Sequence, residues 1–366
     1  MPDSSDSISD IDILQQRKKE GIIIPLNNDV QARESSNYLE YVKLIHNALP
    51  ELDYDGIDTS CTFLNHKLGA PIVIDSMTGG TPDATKINSR LGQLAERYGL
   101  AMGLGSQRAG LRSAALAETY SVARRAAPNA FLIANIGGAQ LSKGLSIDEI
   151  NEIIDMIKAD ALAIHLNPLQ ELVQPEGEPK YKGVLTRIKE IVKVLDIPVI
   201  VKEVGAGISN DVAKNLENVG VAAVNIAGHG GTSWAGVEKL RAEMAQNAIK
   251  TRIGELFWDW GIPTALSLIE VRNAVKIPIV ASGGIRNGLE IAKCLVLGAN
   301  VCAMAYPFLK KADESLDNLL LFTETLVEEL KSTMFLVGAQ TIHELKTSHY
   351  RITGNLKEDL GVLNES

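Results

Sequence analysis

From residue 70 onward, short apolar runs alternate with amphipathic stretches. The runs are Pro71–Asp75, Leu100–Leu104, Phe131–Ala134, Ala161–Ile164, Pro198–Lys202, Ala222–Ile226, Pro278–Ala281 and Val301–Met304, all rich in Val, Ile, Leu and Ala. Each reads as a buried strand. The stretches between them read as helices with recognisable ends. Ile87, Leu91, Leu94, Ala95 and Tyr98 recur at helical spacing, and Gly99 stands where a C-terminal cap belongs. Ser146-Ile147-Asp148-Glu149 is a capping box ahead of Ile150, Ile153, Ile154 and Ile157. Ser209 caps a helix expected to end near Gly220.

Strand–helix alternation forces parallel pairing and right-handed crossovers. Eight such units predict an α/β fold, a (β/α)8 TIM barrel. An open doubly wound sheet is the alternative. The barrel is favoured because polar and glycine-rich motifs follow nearly every run, and a barrel gathers all its strand ends at one mouth.

Two regions fall outside the rhythm. Residues 1–65 form an N-terminal extension, expected to cover the mouth, with the basic group Arg17-Lys18-Lys19 and a helical stretch around Tyr38–Asn47. The barrel with its C-terminal helices then occupies 66–366. The interval Ala227–Ile277, between strands six and seven, is too long for one helix. It holds Trp258 and Trp260 and is expected to pack as an inserted cap. Leu316–Leu336 reads as a long amphipathic helix, and Thr341-Ile342-His343-Glu344 starts a short terminal one.

Composition narrows the function classes. A formal charge of −9 argues against a general nucleic-acid binder. No run of about 18 apolar residues is present, so no membrane span is expected. The polar, acidic start Met1–Asp12 lacks the pattern of a signal peptide, so the expectation is a cytoplasmic protein. Cys61, Cys294 and Cys302 lack metal or disulfide spacing and read as small buried hydrophobes.

The candidate chemistry sits at the strand ends. The densest polar group is His165-Leu166-Asn167-Pro168-Leu169-Gln170-Glu171, directly after a buried strand. Ser76-Met77-Thr78-Gly79-Gly80-Thr81 is either a tight turn or a place for close backbone approach to a flat or anionic ligand. In Gly105-Ser106-Gln107-Arg108, Arg108 is either a phosphate clamp or a surface cation. Asn135-Ile136-Gly137-Gly138 follows the third strand. Lys202 closes the fifth, either to balance an anion or electron-rich ring or to reach water. His229 reads as structural. Ser282-Gly283-Gly284-Ile285-Arg286-Asn287 after strand seven, with Ala305-Tyr306 after strand eight, matches the place where barrels bind phosphate. No Walker loop, G-x-G-x-x-G or G-x-S-x-G is present. The residues therefore point to a barrel enzyme with a phosphorylated ligand, such as a mononucleotide lying across the mouth.

These motifs, in this order, together with Val201-Lys202-Glu203-Val204-Gly205 and Gly230-Gly231-Thr232-Ser233-Trp234, resemble the type 2 isopentenyl-diphosphate isomerases over about Arg17 to Gln340. The resemblance implies a barrel that interconverts isopentenyl and dimethylallyl diphosphates, using reduced FMN and Mg²⁺, with NADPH or NADH as reductant, in a homo-oligomer (tetramer or octamer). It assigns FMN to Ser76, Met77, Thr78, Gly79, Ser106, Asn135, Lys202, Thr232, Gly284, Ile285, Arg286, Ala305 and Tyr306. It assigns the substrate to Arg17, Lys18, Ser106, Gln107, Arg108, His165, Asn167 and Gln170, with Gln170 at the reacting alkene and Glu171 on Mg²⁺. The family's N-terminal Arg-Lys-x-x-His becomes Arg17-Lys18-Lys19-Glu20-Gly21 here, with Gly21 at the histidine position. An FMN-dependent 2-hydroxy acid oxidase or dehydrogenase, and a non-catalytic phosphate-binding protein, are the competing expectations.

Overall fold

A computed structural model describes the backbone of residues 5–363 and the side chains of 15–361; the remaining terminal residues, including the first few of the acidic start, lie outside the described part. Eight parallel strands close into a barrel. They are β1 (Ile72–Ile74), β2 (Ala101–Gly103), β3 (Leu132–Gly137), β4 (Ala161–His165), β5 (Val199–Lys202), β6 (Ala223–Asn225), β7 (Ile279–Ala281) and β8 (Val301–Met304). β8 pairs with β1, with Met304 opposite Ile74, so no edge remains and the open-sheet alternative is excluded.

The two faces of each strand go to two cores. Val73, Ala101, Ile133, Ala161, Ala163, Ile200, Ala223, Val280, Val301 and Ala303 point inward and fill the barrel. Their neighbours, among them Ile74, Met102, Leu162, Val201 and Val224, point outward and meet the helices. Phe63 and Leu68 join the inner cluster from a hairpin of Cys61–Phe63 with His66–Leu68, which fits the floor of the barrel.

The caps fall where the side chains dictate. Gly99 takes the left-handed conformation (φ 60°) after the helix Pro82–Tyr98. Ser146 and Glu149 form the reciprocal capping box at Ile147–Ile157. Ser209 caps Asn210–Asn218. The long C-terminal helix runs Leu316–Val337, and Thr341 caps Ile342–Leu345. The interval between β6 and β7 contains the helices Trp234–Met244, Ala248–Leu256 and Thr264–Ala274. Trp258 is buried against them, while Trp260 is 62% exposed. Cys294 and Cys302 are buried as expected, and Cys61 is only half-buried.

Two expectations need correction. The stretch Tyr38–Asn47 is not helical: one short turn, Leu39–Tyr41, leads into the strand Val42–Leu44. That strand pairs antiparallel with Tyr350–Ile352, a partner more than 300 residues away that no local pattern announces. The division at 65/66 also has no structural counterpart. It cuts the Cys61–Leu68 hairpin, and the N-terminal extension is sewn to the C-terminus through the 42–44 strand. Among the described residues, no helix is long and apolar enough to cross a membrane.

Candidate active site

Strand periodicity builds the floor of the site. Side chains alternate faces, so the residue two positions after each inward-pointing core residue also points inward, nearer the mouth. That rule carries Val73 to Asp75, Ile133 to Asn135, Ala163 to His165, Ile200 to Lys202, Ala223 to Asn225 and Val280 to Ser282. Register then sets them level. Gly137 lies opposite His165, His165 opposite Lys202, and Lys202 opposite Asn225 across four adjacent strands.

The polar ring is knit together. Lys202 Nζ lies 3.6 Å from Asp75 Oδ1 and donates to the Glu203 carbonyl at 2.8 Å. Asn225 Nδ2 donates to Asp75 Oδ2 at 3.3 Å, and Ser282 Oγ donates to Asn225 Oδ1. His165 Nδ1 is 2.8 Å from Asn135 Oδ1. Burial, with the charges of Lys202, Lys18 and Arg17, pushes the His165 pKa down to about 3, so the ring is neutral. Above this floor opens a cavity with about 1250 Å³ of empty space including its mouth, lined at its base by Ser76, Asn135, His165, Lys202 and Ser282. That is room for a mononucleotide and a second small ligand.

One end of the cavity is formed by the β6 and β7 loops. Gly283 and Gly284 have φ of 107° and 72°, open to glycine without strain. A Cβ on Gly231 would fall 2.5 Å from the Gly284 nitrogen, so the two loops meet backbone to backbone. Arg286 is a half-buried cation lining this end, and among the described residues it has no carboxylate ion pair. Its Nη1 donates to the Ile285 carbonyl and its Nη2 to Gln31 Oε1, and burial lowers its pKa. A desolvated, unpaired guanidinium beside a glycine cradle suits a phosphate.

The helix Ser5–Asn27 brings Arg17 and Lys18 over the opposite side. Lys18 Nζ donates to the Ser106 carbonyl at 2.6 Å, an acceptor shared with the Tyr120 hydroxyl. Burial, with Arg17 and Arg108 nearby, lowers the Lys18 pKa to about 7. Among the described residues neither Arg17 nor Lys18 is ion-paired to a carboxylate. Unneutralised cations at a cavity wall suit a second anion.

Gln170 also lines the cavity. Its Nε2 donates to Glu238 Oε1 at 2.8 Å, and its Oε1 accepts from Asn167 Nδ2 at 3.0 Å. Glu238 is buried, which raises its pKa, while Arg241 opposes that rise. Arg241 binds three carboxylates at once: Glu238 at 2.6 Å, Glu20 at 2.7 Å and Glu176 at 2.8 Å.

The comparisons with known proteins fit this geometry. The chain matches the FMN-dependent dehydrogenase family over residues 156–352. It is 46% identical to a Nostoc protein named isopentenyl-diphosphate delta-isomerase, covering 95% of this chain and 97% of that one. A Methanothermobacter thermautotrophicus protein of the same name is 44% identical, with 94% and 95% covered. This chain belongs to the isopentenyl-diphosphate delta-isomerase family. That membership leaves the hydroxy-acid oxidase alternative less supported. Among solved structures, a lactate oxidase from Pediococcus acidilactici superposes with a TM-score of 0.66 at 14% identity, covering 94% of each chain. A mandelate oxidase gives 0.63 at 15% identity, covering 94% of this chain and 98% of that one. Those two likenesses concern the fold.

The cavity gathers most of the residues singled out from the isomerase motifs. Arg17, Lys18, Ser76, Met77, Ser106, Asn135, His165, Gln170, Lys202, Thr232, Gly284, Ile285, Arg286, Ala305 and Tyr306 all line it, as does Gly21. Others stand behind the wall. Gln107 is fully buried, donates to the Ile153 carbonyl and accepts from Asn135 N, so its side chain positions β3 rather than meeting a ligand. Thr78 donates to Asn88, and Gly79 packs against the Tyr120 ring. Asn167 is buried among Gln170, Glu171 and Tyr181. Arg108 and Glu171 lie off the cavity wall and within electrostatic reach of each other. Glu171 accepts from Glu178 N at 3.0 Å.

Asp75, Asn225, Glu238 and Arg241 were not anticipated. The alternation rule, applied past each strand end, finds the first two. Glu238 and Arg241 lie on the otherwise apolar buried face of Trp234–Met244, a misplaced-charge signal that sequence periodicity carries.

Proposed function

We propose that the protein interconverts isopentenyl diphosphate and dimethylallyl diphosphate by a 1,3-proton shift, with FMN across the barrel mouth and Mg²⁺ between Glu171 and the substrate diphosphate. The observation that carries the reading is the pinned Gln170 carboxamide, fixed between Asn167 and buried Glu238 at the wall of a cavity that Arg17, Lys18 and Arg286 also line.

The residues fit the cofactor. Gly231, Gly284, Thr232 and Arg286 would hold its phosphate, and Met77, Asn135 and Lys202 would lie along its ring. When bound and reduced, FMN supplies an electron-rich ring that can stabilise positive charge and carry a proton. A reduced nicotinamide nucleotide, NADPH or NADH, is the proposed reductant. For the metal, the described residues contain no group of three or more His, Cys, Asp or Glu side chains able to form a cage. One carboxylate with substrate phosphate oxygens and water is the usual Mg²⁺ arrangement, and Glu171, buried just behind the wall beside Asn167, is the carboxylate proposed for it.

The protein's own part is positioning and proton handling. Arg17 and Lys18 bind the diphosphate. His165, neutral at physiological pH, can donate one hydrogen bond without adding charge. The reaction adds a proton to the terminal alkene carbon and removes one from the carbon on the far side of the tertiary centre, so atoms and charge balance. Gln170 orients the alkene, and Glu238 behind it accepts a hydrogen bond from the Gln170 amide and fixes that orientation. Assembly as a homo-oligomer, a tetramer or octamer, is part of the proposal, and the inserted segment exposes Met244, Ile249, Leu256 and Trp260, apolar side chains that an interface would cover.

The deciding experiment is anaerobic incubation with isopentenyl diphosphate, reduced FMN and Mg²⁺, with the product identified by NMR. Dimethylallyl diphosphate is expected. No product, or equal turnover without flavin, overturns the reading.

A further inference from the structure

We propose that Gln31 is a positioning residue for the cofactor phosphate, acting through Arg286 and Thr232 from a strap formed by Asp29–Asn37. The inference rests on the flavin reading above and adds an element outside the barrel to it.

The strap is held on both sides. Gln31 pairs antiparallel with Thr232, with Ala32 N donating to the Gly231 carbonyl at 2.8 Å and Ser233 N to the Val30 carbonyl at 2.7 Å. Trp258 Nε1 donates to the Gln31 carbonyl at 3.0 Å. The Arg33 guanidinium lies 3.3 Å from the centroid of the Trp258 ring, and Asp259 accepts the backbone N–H of Arg33 and Glu34. Asn37 Nδ2 reaches the Gly284 carbonyl at 2.9 Å. Two faces of the phosphate cradle, the β6 loop and the β7 turn, are thus fastened to one short segment.

The Gln31 side chain spans those same two faces. Its Oε1 accepts from Arg286 Nη2 at 2.6 Å, and its Nε2 donates to Thr232 Oγ1 at 3.3 Å. Each bond has a directional consequence. A hydroxyl that accepts from Gln31 keeps its own proton for another acceptor, so Thr232 is set to donate into the cavity. A guanidinium held through one Nη keeps further N–H donors free. A carboxamide leaves the Arg286 charge intact, whereas a carboxylate at the same place would neutralise it and repel an anion. Gln31 is not part of the cavity wall, so it acts by orienting the two groups that are.

The test is the affinity of flavin-depleted protein for FMN and for riboflavin, which lacks the phosphate, read by flavin fluorescence. Wild type is compared with Gln31→Met, which keeps the length and removes the amide, and with Gln31→Glu. Loss of one such orienting interaction should raise the FMN Kd about five- to ten-fold in Gln31→Met. Gln31→Glu should weaken FMN further, and riboflavin affinity should stay constant in both. Unchanged FMN affinity in Gln31→Met overturns the proposal, as does an equal loss for FMN and riboflavin, which marks general damage to the strap. If one variant fails to fold, the other decides by the same FMN-to-riboflavin ratio. Wild-type protein that binds FMN no better than riboflavin removes the phosphate site itself, a failure separate from that of Gln31.

Discussion

Lys18 sits with its ammonium on the Ser106 carbonyl and two other cations close by. Burial and that repulsion bring its pKa to about 7, so its charge is full below pH 7 and lost as pH rises through it. A bound diphosphate favours the charged form, so binding above pH 7 must take up a proton. The KM for the diphosphate should therefore be flat in acid and climb above about pH 7, toward ten-fold per pH unit. Lys18→Arg, charged throughout, should flatten the profile. A wild-type profile flat from pH 6 to 9 would remove Lys18 from the site. Glu171 makes a separate prediction. Glu171→Gln keeps the shape but removes the charge a hard cation needs. Activity should fall and the Mg²⁺ requirement move to higher concentration, with FMN affinity unchanged; an unaltered magnesium titration would assign the metal elsewhere. At this scale the sequence was informative because strand alternation is strict. His165 and Lys202 were legible as polar residues closing buried runs, whereas Asp75 and Asn225 emerge only when the alternation is carried through to each strand end. Gln107 was misread because sequence order cannot say that its amide turns inward to Ile153.

Among the elements, the helix Trp234–Met244 ties several parts of the site together. Ser233 caps it, and its inner face carries Glu238 and Arg241. Through Arg241 it holds the N-terminal helix by Glu20 and the segment after β4 by Glu176. Removing that guanidinium leaves Glu238 buried and uncompensated. Arg241→Met should lower stability by about 3 kcal/mol, near the lower end for a broken buried pair because Glu20 and Glu176 are partly exposed. Urea unfolding would show it as a lower midpoint, and an unchanged midpoint would mean the hub adds no stability. Helices with capped, periodic sequences were legible: Pro82–Tyr98, Ile147–Ile157 and Leu316–Val337 begin and end close to their signals. The Val42–Leu44 strand was not. Its pairing with Tyr350–Ile352 is a long-range contact, and tertiary pairing overrides local pattern in so short a segment.

At the level of the whole molecule, closure of the barrel decides where the site lies, because it turns eight separate strand ends into one cavity floor. The outer surface carries another consequence. Ile249 is 74% exposed on the helix Ala248–Leu256, with Leu256, Trp260 and Met244 exposed nearby in sequence. If copies of the chain meet through this surface, light scattering coupled to gel filtration should give a mass several times 39.4 kDa. The double change Ile249→Glu and Trp260→Glu should then reduce it, since a charge in an apolar interface must be desolvated without a partner. A wild-type mass of one chain, or a variant that assembles as before, would place the interface elsewhere or remove it.

The sequence by itself determined the strand–helix rhythm, the glycine turns and the His165–Glu171 cluster. These depend on neighbours within a few residues, where sterics, capping and side-chain alternation act. That was enough for the barrel, and the isomerase family followed from the resemblance those motifs carry. Only the tertiary structure decided what stands against what. It brought Gln170 to Glu238 across 68 positions, Lys202 to Asp75, and Gln31 to Arg286 across 255. It also turned Gln107 and Thr78 away from the cavity into the fold. Such pairings are fixed by strand register and helix docking, which sum many weak contacts over the whole chain, so no local stretch of sequence contains them.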